Sequence, residues 1–134
     1  MEDILSIADS SAFPLIKSSD SVSASLIKLT ATTTDATTGE KTGKIQYLTS
    51  EGYQDIQEYS TNAWYDFSFV LNLETQTYDL YINNQKMLNG VQLVTADGNR
   101  MSNIRYIVFQ INSAGNQTSS ILLDDLSVWV PATN

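Results

Sequence analysis

Between Trp64 and Leu73 the chain alternates with a period of two: Tyr65, Phe67, Phe69, Leu71 and Leu73 fall on one side, and Trp64, Asp66, Ser68, Val70 and Asn72 on the other. Side chains of an extended backbone point to opposite faces in turn, so this pattern predicts a half-buried β-strand. After Glu74-Thr75-Gln76 the alternation resumes over Thr77 to Asn83, with Tyr78, Leu80 and Ile82 on one face and Asp79 and Tyr81 on the other. Asn83-Asn84 reads as the next turn, because asparagine enters the left-handed region at low cost. Lys86 to Val94 is a short strand broken at Gly90, Asp97-Gly98-Asn99 is a turn, and Ile104 to Asn112 and Ile121 to Val130 are strands around the polar loop Ser113 to Ser120.

Upstream, Val22 to Thr33 reads as one strand, with Val22, Ala24, Leu26 and Lys28 against Ser23, Ser25, Ile27 and Leu29. Thr32 to Gly43, with Asp35 and two glycines, reads as a mobile hairpin loop. Lys44 to Thr49 follows, and Ser50-Glu51-Gly52 turns it back into Tyr53 to Tyr59. No window has the helical period, and the runs are rich in β-branched and aromatic residues. Short strands between turn residues predict an all-β fold, a two-sheet antiparallel β-sandwich. Tyr65, Phe67, Phe69, Leu71, Tyr78, Leu80, Ile82, Ile107, Phe109 and Val128 are its expected core. No element is assigned before Val22.

The length of 134 residues, 42% of them hydrophobic, suits one domain over 1–134. No run approaches the ~18 apolar residues of a membrane helix. Met1-Glu2-Asp3-Ile4-Leu5 lacks the basic flank and apolar run of a signal peptide. Either the protein is made without one or, as is expected here, the chain is a module excised from a longer one, with covalently linked neighbouring domains. Seven basic residues against fifteen acidic ones give a net charge of −8. Lys17, Lys28, Lys41, Lys44, Lys86, Arg100 and Arg105 are scattered singly, so the basic stripe that displaces phosphate counterions is missing. Nucleic acid and anionic membrane surfaces are therefore poor partner candidates, and neither is expected. Without cysteine the chain has no disulfide, thiolate nucleophile or thiolate-bound zinc, and without histidine it lacks the commonest general base. An acidic surface rich in Ser and Thr suits a secreted or cell-surface protein.

From Lys44 to Val130 the chain resembles a recurrent module of the concanavalin A-like (laminin-G-like) jelly-roll superfamily. The resemblance begins at Gly43-Lys44-Ile45-Gln46-Tyr47 and runs through Tyr53, Tyr59 and Trp64-Tyr65-Asp66-Phe67. Its centre is Asn72-Leu73-Glu74-Thr75-Gln76-Thr77-Tyr78-Asp79-Leu80-Tyr81-Ile82-Asn83-Asn84, and it closes with Ile104 to Phe109 and Ile121 to Val128. Asn83-Asn84 stands where such modules usually carry Asp-Gly or a similar glycine turn. The resemblance implies a jelly roll of the kind that accompanies bacterial glycoside hydrolases, polysaccharide lyases and surface proteins. It also implies that Asp124, in Asp124-Asp125, helps hold a structural Ca²⁺, for which Glu2, Asp3 and Asp20 are available oxygen partners. The Glu-x-Asp-x-x-Glu strand motif of the superfamily's glucanases is absent.

Sugar rings present an apolar C–H face to aromatic side chains, which makes Trp64, Tyr81, Tyr47, Tyr53, Tyr59 and Trp129 candidate platforms. The plainer reading of each is packing. Asp66 and Asp79 are candidate acceptors of sugar hydroxyls, since an ionised acceptor makes the stronger hydrogen bond. The same two carboxylates, on adjacent strands, could also be read as a glycosidase pair, and a solvated sheet face is the alternative. The expectation is a non-catalytic carbohydrate-binding module, not an enzyme, whose partner is a polysaccharide or surface glycan and which targets an attached protein to it. A structural or adhesion spacer without a sugar site is the first alternative, and a small polysaccharide lyase or hydrolase the second.

Overall fold

A computed structural model of the chain describes residues 5–6, 10–19, 21–61, 63–113 and 120–121. Those residues form antiparallel sheets, with no helix among them. The larger sheet contains β2 (Ser10–Lys17), β3 (Ser23–Ser25), β4 (Ile27–Leu29), β5 (Thr33–Thr34), β6 (Lys41–Thr49), β7 (Gly52–Ser60) and β11 (Tyr106–Ser113). The smaller sheet is a meander of β8 (Phe67–Asn72), β9 (Thr77–Ile82) and β10 (Gln85–Gln92). A short pair joins β1 (Leu5–Ser6) to β12 (Ser120–Ile121).

The expected strand Val22 to Thr33 is three short strands, β3 to β5, that step from one neighbour to the next. Leu15 opposes Ser25, but Ala12 opposes Leu29, so the β3–β4 side has one residue more than β2. Leu26 lies at this bulge, outside either strand, and Leu26 and Ile27 are both buried. The alternation therefore changes phase. Val22, Ala24 and Leu26 point inward before the bulge, Ile27 and Leu29 after it, and Lys28 is not in the core as the unbroken pattern required. Pro14 of β2 lies opposite the bulge. Proline has no N–H for the ladder and is tolerated where pairing is already interrupted. The same proline hid β2 from sequence pattern.

The expected loop Thr32 to Gly43 is shorter and ordered. Thr33 pairs with Thr42 and Thr34 with Lys41. Asp35 Oδ1 accepts the N–H groups of Thr37 and Thr38 at 2.7 and 2.9 Å, closing a side-chain-capped turn. Those bonds hold the Asp35 carboxyl below its ordinary pKa.

Residues from both sheets form one hydrophobic cluster: Ile16, Val22, Ala24, Leu26, Ile27, Leu29, Ile45 and Tyr59 meet Tyr78, Leu80, Ile82, Leu93 and Met101. Two sheets with a shared core between their inner faces are consistent with a β-sandwich. Tyr78, Leu80 and Ile82 are fully buried as expected. Tyr65, Phe67, Phe69 and Leu71 face the same core but are only half-buried. Ile107, an expected core residue, is 37% exposed although it lies opposite the buried Ile16, because β11 is the last strand on that side of the described sheet. The side chain of Phe109 and all of Val128 lie outside the described residues, as does the expected strand beyond Ile121. The described strand β11 begins at Tyr106 rather than Ile104.

The turn after β8 is locked by residues about 25 positions further along the chain. Gln76 is buried with φ of 58°. Its Nε2 donates to the Met101 carbonyl at 2.8 Å, and its Oε1 accepts the Met101 N–H at 2.8 Å, as an adjacent strand would. Arg100 donates to the carbonyls of Leu73 and Glu74 at 2.8 and 2.7 Å. The Leu73 and Glu74 carbonyls left open by the turn are thereby satisfied.

Candidate functional site

Strand β8 presents Ser68, Val70 and Asn72 to solvent, and the exposed positions continue back through Asp66 to Trp64. Across from them on β9 stand the half-exposed Thr77, Asp79 and Tyr81, with Ser68 opposite Tyr81 and Val70 opposite Asp79. This is the outer face of the three-stranded sheet. It carries Val70, 51% exposed, and three residues before β8 stands Trp64, at 54% the most exposed large hydrophobic residue described.

Trp64 is held out by its neighbours rather than by its own packing. The hydroxyl of Tyr65 accepts the Ser60 N–H at 2.8 Å, and the Tyr65 ring lies 6.2 Å from that of Phe67 against the core. On the other side the Asp66 N–H donates to Asn83 Oδ1 at 2.9 Å, and the Asp66 carbonyl accepts the Asn83 N–H at 2.8 Å. The Asn83-Asn84 turn that makes this clamp has φ of 51° and 65°, the left-handed pair expected from the sequence. A tryptophan between two anchored residues, with half its surface in water, is a presented side chain.

The other candidates are distributed differently. Lys86 Nζ lies 5.6 Å over the ring of Tyr81, 3.4 Å from Asp79 Oδ2 and 3.0 Å from Asn89 Oδ1. Asp79 Oδ1 also accepts the Gly90 N–H at 2.7 Å. Gly90, with φ of +62°, lies in the bulged stretch of β10 between Leu88 and Val91, so Asp79 fastens that bulge. The Gly90 bond, followed by Lys86, draws the Asp79 carboxyl below its ordinary pKa, and Asp79 raises that of Lys86. Asp66 and Asp79 share a face but not a register. Asp66 bonds to Asn83 while Asp79 opposes Val70, four residues along β8, or about 13 Å at a strand's rise. The two carboxylates that could be read as a glycosidase pair are thus offset along the strands by more than the roughly 5–9.5 Å such a pair needs.

Tyr47 and Tyr53 part company. Tyr47 packs half-buried against the core. Tyr53 opposes Leu48 on the outer face of the larger sheet, where Lys28 Nζ lies 4.8 Å over its ring. One extra residue in β7, Ile56 between Asp55 and Gln57, puts Tyr53 on the opposite face from Tyr59 despite their even spacing. Tyr59 is buried, 1% exposed. Trp129 and Asp124 lie outside the described residues, as do Glu2, Asp3 and Asp20. Among the described residues no three carboxylates converge as a metal site would need. The sequence pattern did not single out Lys28, Lys86 or Asn89, because strand register and bulges bring them to their partners.

On the outer face of the smaller sheet Ser68, Val70 and Asn72 are exposed. A cleft of about 330 Å³ lies elsewhere, lined by Ser23, Ser25, Leu48, Val94, Thr95 and Ala96. Comparison of the chain with models of known families, with characterised proteins and with solved structures gave no match.

Proposed function

We propose that the chain is a non-catalytic carbohydrate-binding module of concanavalin A-like, jelly-roll type, acting at the cell surface or after secretion to hold an attached protein on a polysaccharide. The observation that carries this reading is Trp64, 54% exposed on a backbone anchored at Tyr65 and Asp66. Stacking on a pyranose ring uses the flat area of an indole with little loss of side-chain freedom. Asp66, just before β8, and Ser68 and Asn72 on it supply polar atoms for hydroxyls beside the apolar surface of Trp64 and Val70. An open, elongated face suits an internal stretch of a polymer better than a small molecule, which needs an enclosing pocket.

Affinity gels containing a panel of polysaccharides test the reading with the whole chain. Retention in at least one gel is expected, and Trp64→Ala is expected to weaken it about tenfold, the equivalent of 1.4 kcal/mol. The melting midpoint is expected to stay within about 1 °C, because a half-exposed side chain leaves no core cavity. Absence of retention on any glycan would sink the proposal. One observation favours the spacer alternative. The rings of Tyr81 and Tyr53 each carry a lysine ammonium, so neither is an uncovered platform. Equal retention of the Trp64→Ala variant and the parent would remove the site from this face.

A further inference from the structure

We infer that the outer face of the smaller sheet selects neutral polysaccharide and rejects chains bearing carboxylates or sulfates. This rests on the glycan-binding reading and specifies its substrate class. A polyuronate or sulfated glycan brings an anion on every one or two sugars. Binding it takes cationic side chains with free donors, usually forked guanidinium groups. Lys86, the cation that this face carries, is already engaged, and Arg100, at the turn after β8, is held there through Nη2. Lys86 is shared among Asp79, Asn89 and the Tyr81 ring. Arg100 donates to the carbonyls of Leu73 and Glu74 at the end of β8.

The charge that remains on the face is negative. Asp79 and Lys86 offset each other, and Asp66 stands exposed beside Trp64. The chain as a whole carries −8. At physiological ionic strength, fields act over about 8 Å, so an anionic chain in contact with the Trp64–Asn72 row meets Asp66 unscreened. A neutral chain meets no such opposition. Its hydroxyls donate to the Asp66 carboxylate and exchange hydrogen bonds with Ser68, while its C–H faces lie on Trp64 and Val70. Hydrogen bonds of this kind do not depend on long-range charge, so binding is expected to be insensitive to salt.

Affinity electrophoresis of the whole chain in gels containing xylan, mixed-linkage β-glucan or galactomannan, against gels containing polygalacturonate or chondroitin sulfate, tests the assignment at 10 and 150 mM salt. Retention is expected in a neutral gel, changing less than twofold between the two salts. Affinity for both anionic gels is expected to be at least tenfold weaker. Asp66→Lys is expected to gain retention on polygalacturonate at 10 mM salt and to lose that gain at 150 mM. Retention of the parent chain on an anionic gel that fades with salt would overturn the selectivity while leaving glycan binding intact. An Asp66→Lys chain that gains nothing would also overturn it, since charge would then not be what excludes the acid polymer. Retention in no gel at all would overturn the glycan reading and this inference with it.

Discussion

Gly43 reads in the sequence as part of a flexible polar loop, yet in the structure it is a buried residue of β6 lying directly beneath the ring of Tyr59. A β-carbon at Gly43 would sit 2.6 Å from Tyr59 Cε1, Cζ and Oη. The ring cannot retreat: Tyr59 is 1% exposed, and its hydroxyl donates to the Thr30 carbonyl. Gly43→Ala is therefore expected to destabilise the protein by about 1–3 kcal/mol through overpacking. In a Tyr59→Leu background most of that cost should vanish, because the shorter side chain leaves the space open. Denaturant midpoints of the four-member cycle measure this coupling. Equal costs in both backgrounds would mean that backbone conformation, not the ring, requires glycine. The role of this glycine could not be read from spacing, since Tyr59 reaches Gly43 only through the β6–β7 register. Trp64 stands at the other extreme. Its parity with Asp66, Ser68 and Val70 announced an outward position, and the structure places it there.

Elements were legible where the period-two pattern runs without a bulge. β8 and β9 pair residue for residue from Phe67 opposite Ile82 to Asn72 opposite Thr77, and their inward and outward faces follow the sequence alternation. Three features escaped: β3 to β5, expected as one strand, change phase at Leu26, β7, expected as Tyr53 to Tyr59, does so at Ile56, and β2, which contains Pro14, goes unassigned. The departures at Leu26 and Ile56 are single inserted residues that each reverse every face assignment beyond them, and a lone inserted residue leaves no mark in hydrophobicity. The turn between β9 and β10 is a case where local chemistry sufficed, and its two asparagines should behave differently. Asn84 contributes only a backbone with φ of 65° to the pairs described, so Asn84→Gly is expected to stabilise by about 0.5 kcal/mol, glycine being the preferred second residue of such a turn. Asn83 also accepts the Asp66 N–H through Oδ1, so Asn83→Gly is expected to lose about 0.5–1.5 kcal/mol despite easing the same backbone strain. It should also weaken glycan retention, because the clamp on Asp66 fixes the chain that presents Trp64. Thermal melts and gel retention of both variants check the pair. A retained glycan affinity in Asn83→Gly would show that Trp64 needs no such support.

At the scale of the whole molecule, two sheets must be held face to face, and apolar burial alone does not fix their relative position. Tyr78 of the smaller sheet crosses the core and donates its hydroxyl to the Leu26 carbonyl at 3.3 Å. That carbonyl belongs to the bulge in the larger sheet, where the ladder is interrupted. The bulge that obscured the sequence pattern is thus also the point where one sheet is tied to the other. Burial, and then the neighbouring Tyr47, push the Tyr78 hydroxyl up to about 12. The sign follows from linkage. A phenol raised from its ordinary value near 10 contributes stability that is complete below about pH 10 and is lost as pH rises through 10 toward 12, because the unfolded chain releases its proton first. Tyr59, raised by burial and then by Tyr65, acts in the same direction. The protein is therefore expected to lose stability on the alkaline side from about pH 10 upward. Tyr78→Phe leaves the Leu26 carbonyl buried without its donor and should cost about 1–2 kcal/mol at pH 7. It should also flatten the fall between pH 10 and 12, since one of the two late-ionising groups is gone. Denaturant midpoints of the parent and Tyr78→Phe chains from pH 7 to 12 give both quantities. A variant that loses stability at pH 7 but keeps the parent's alkaline slope would show that the hydroxyl bridges the sheets without governing their response to base.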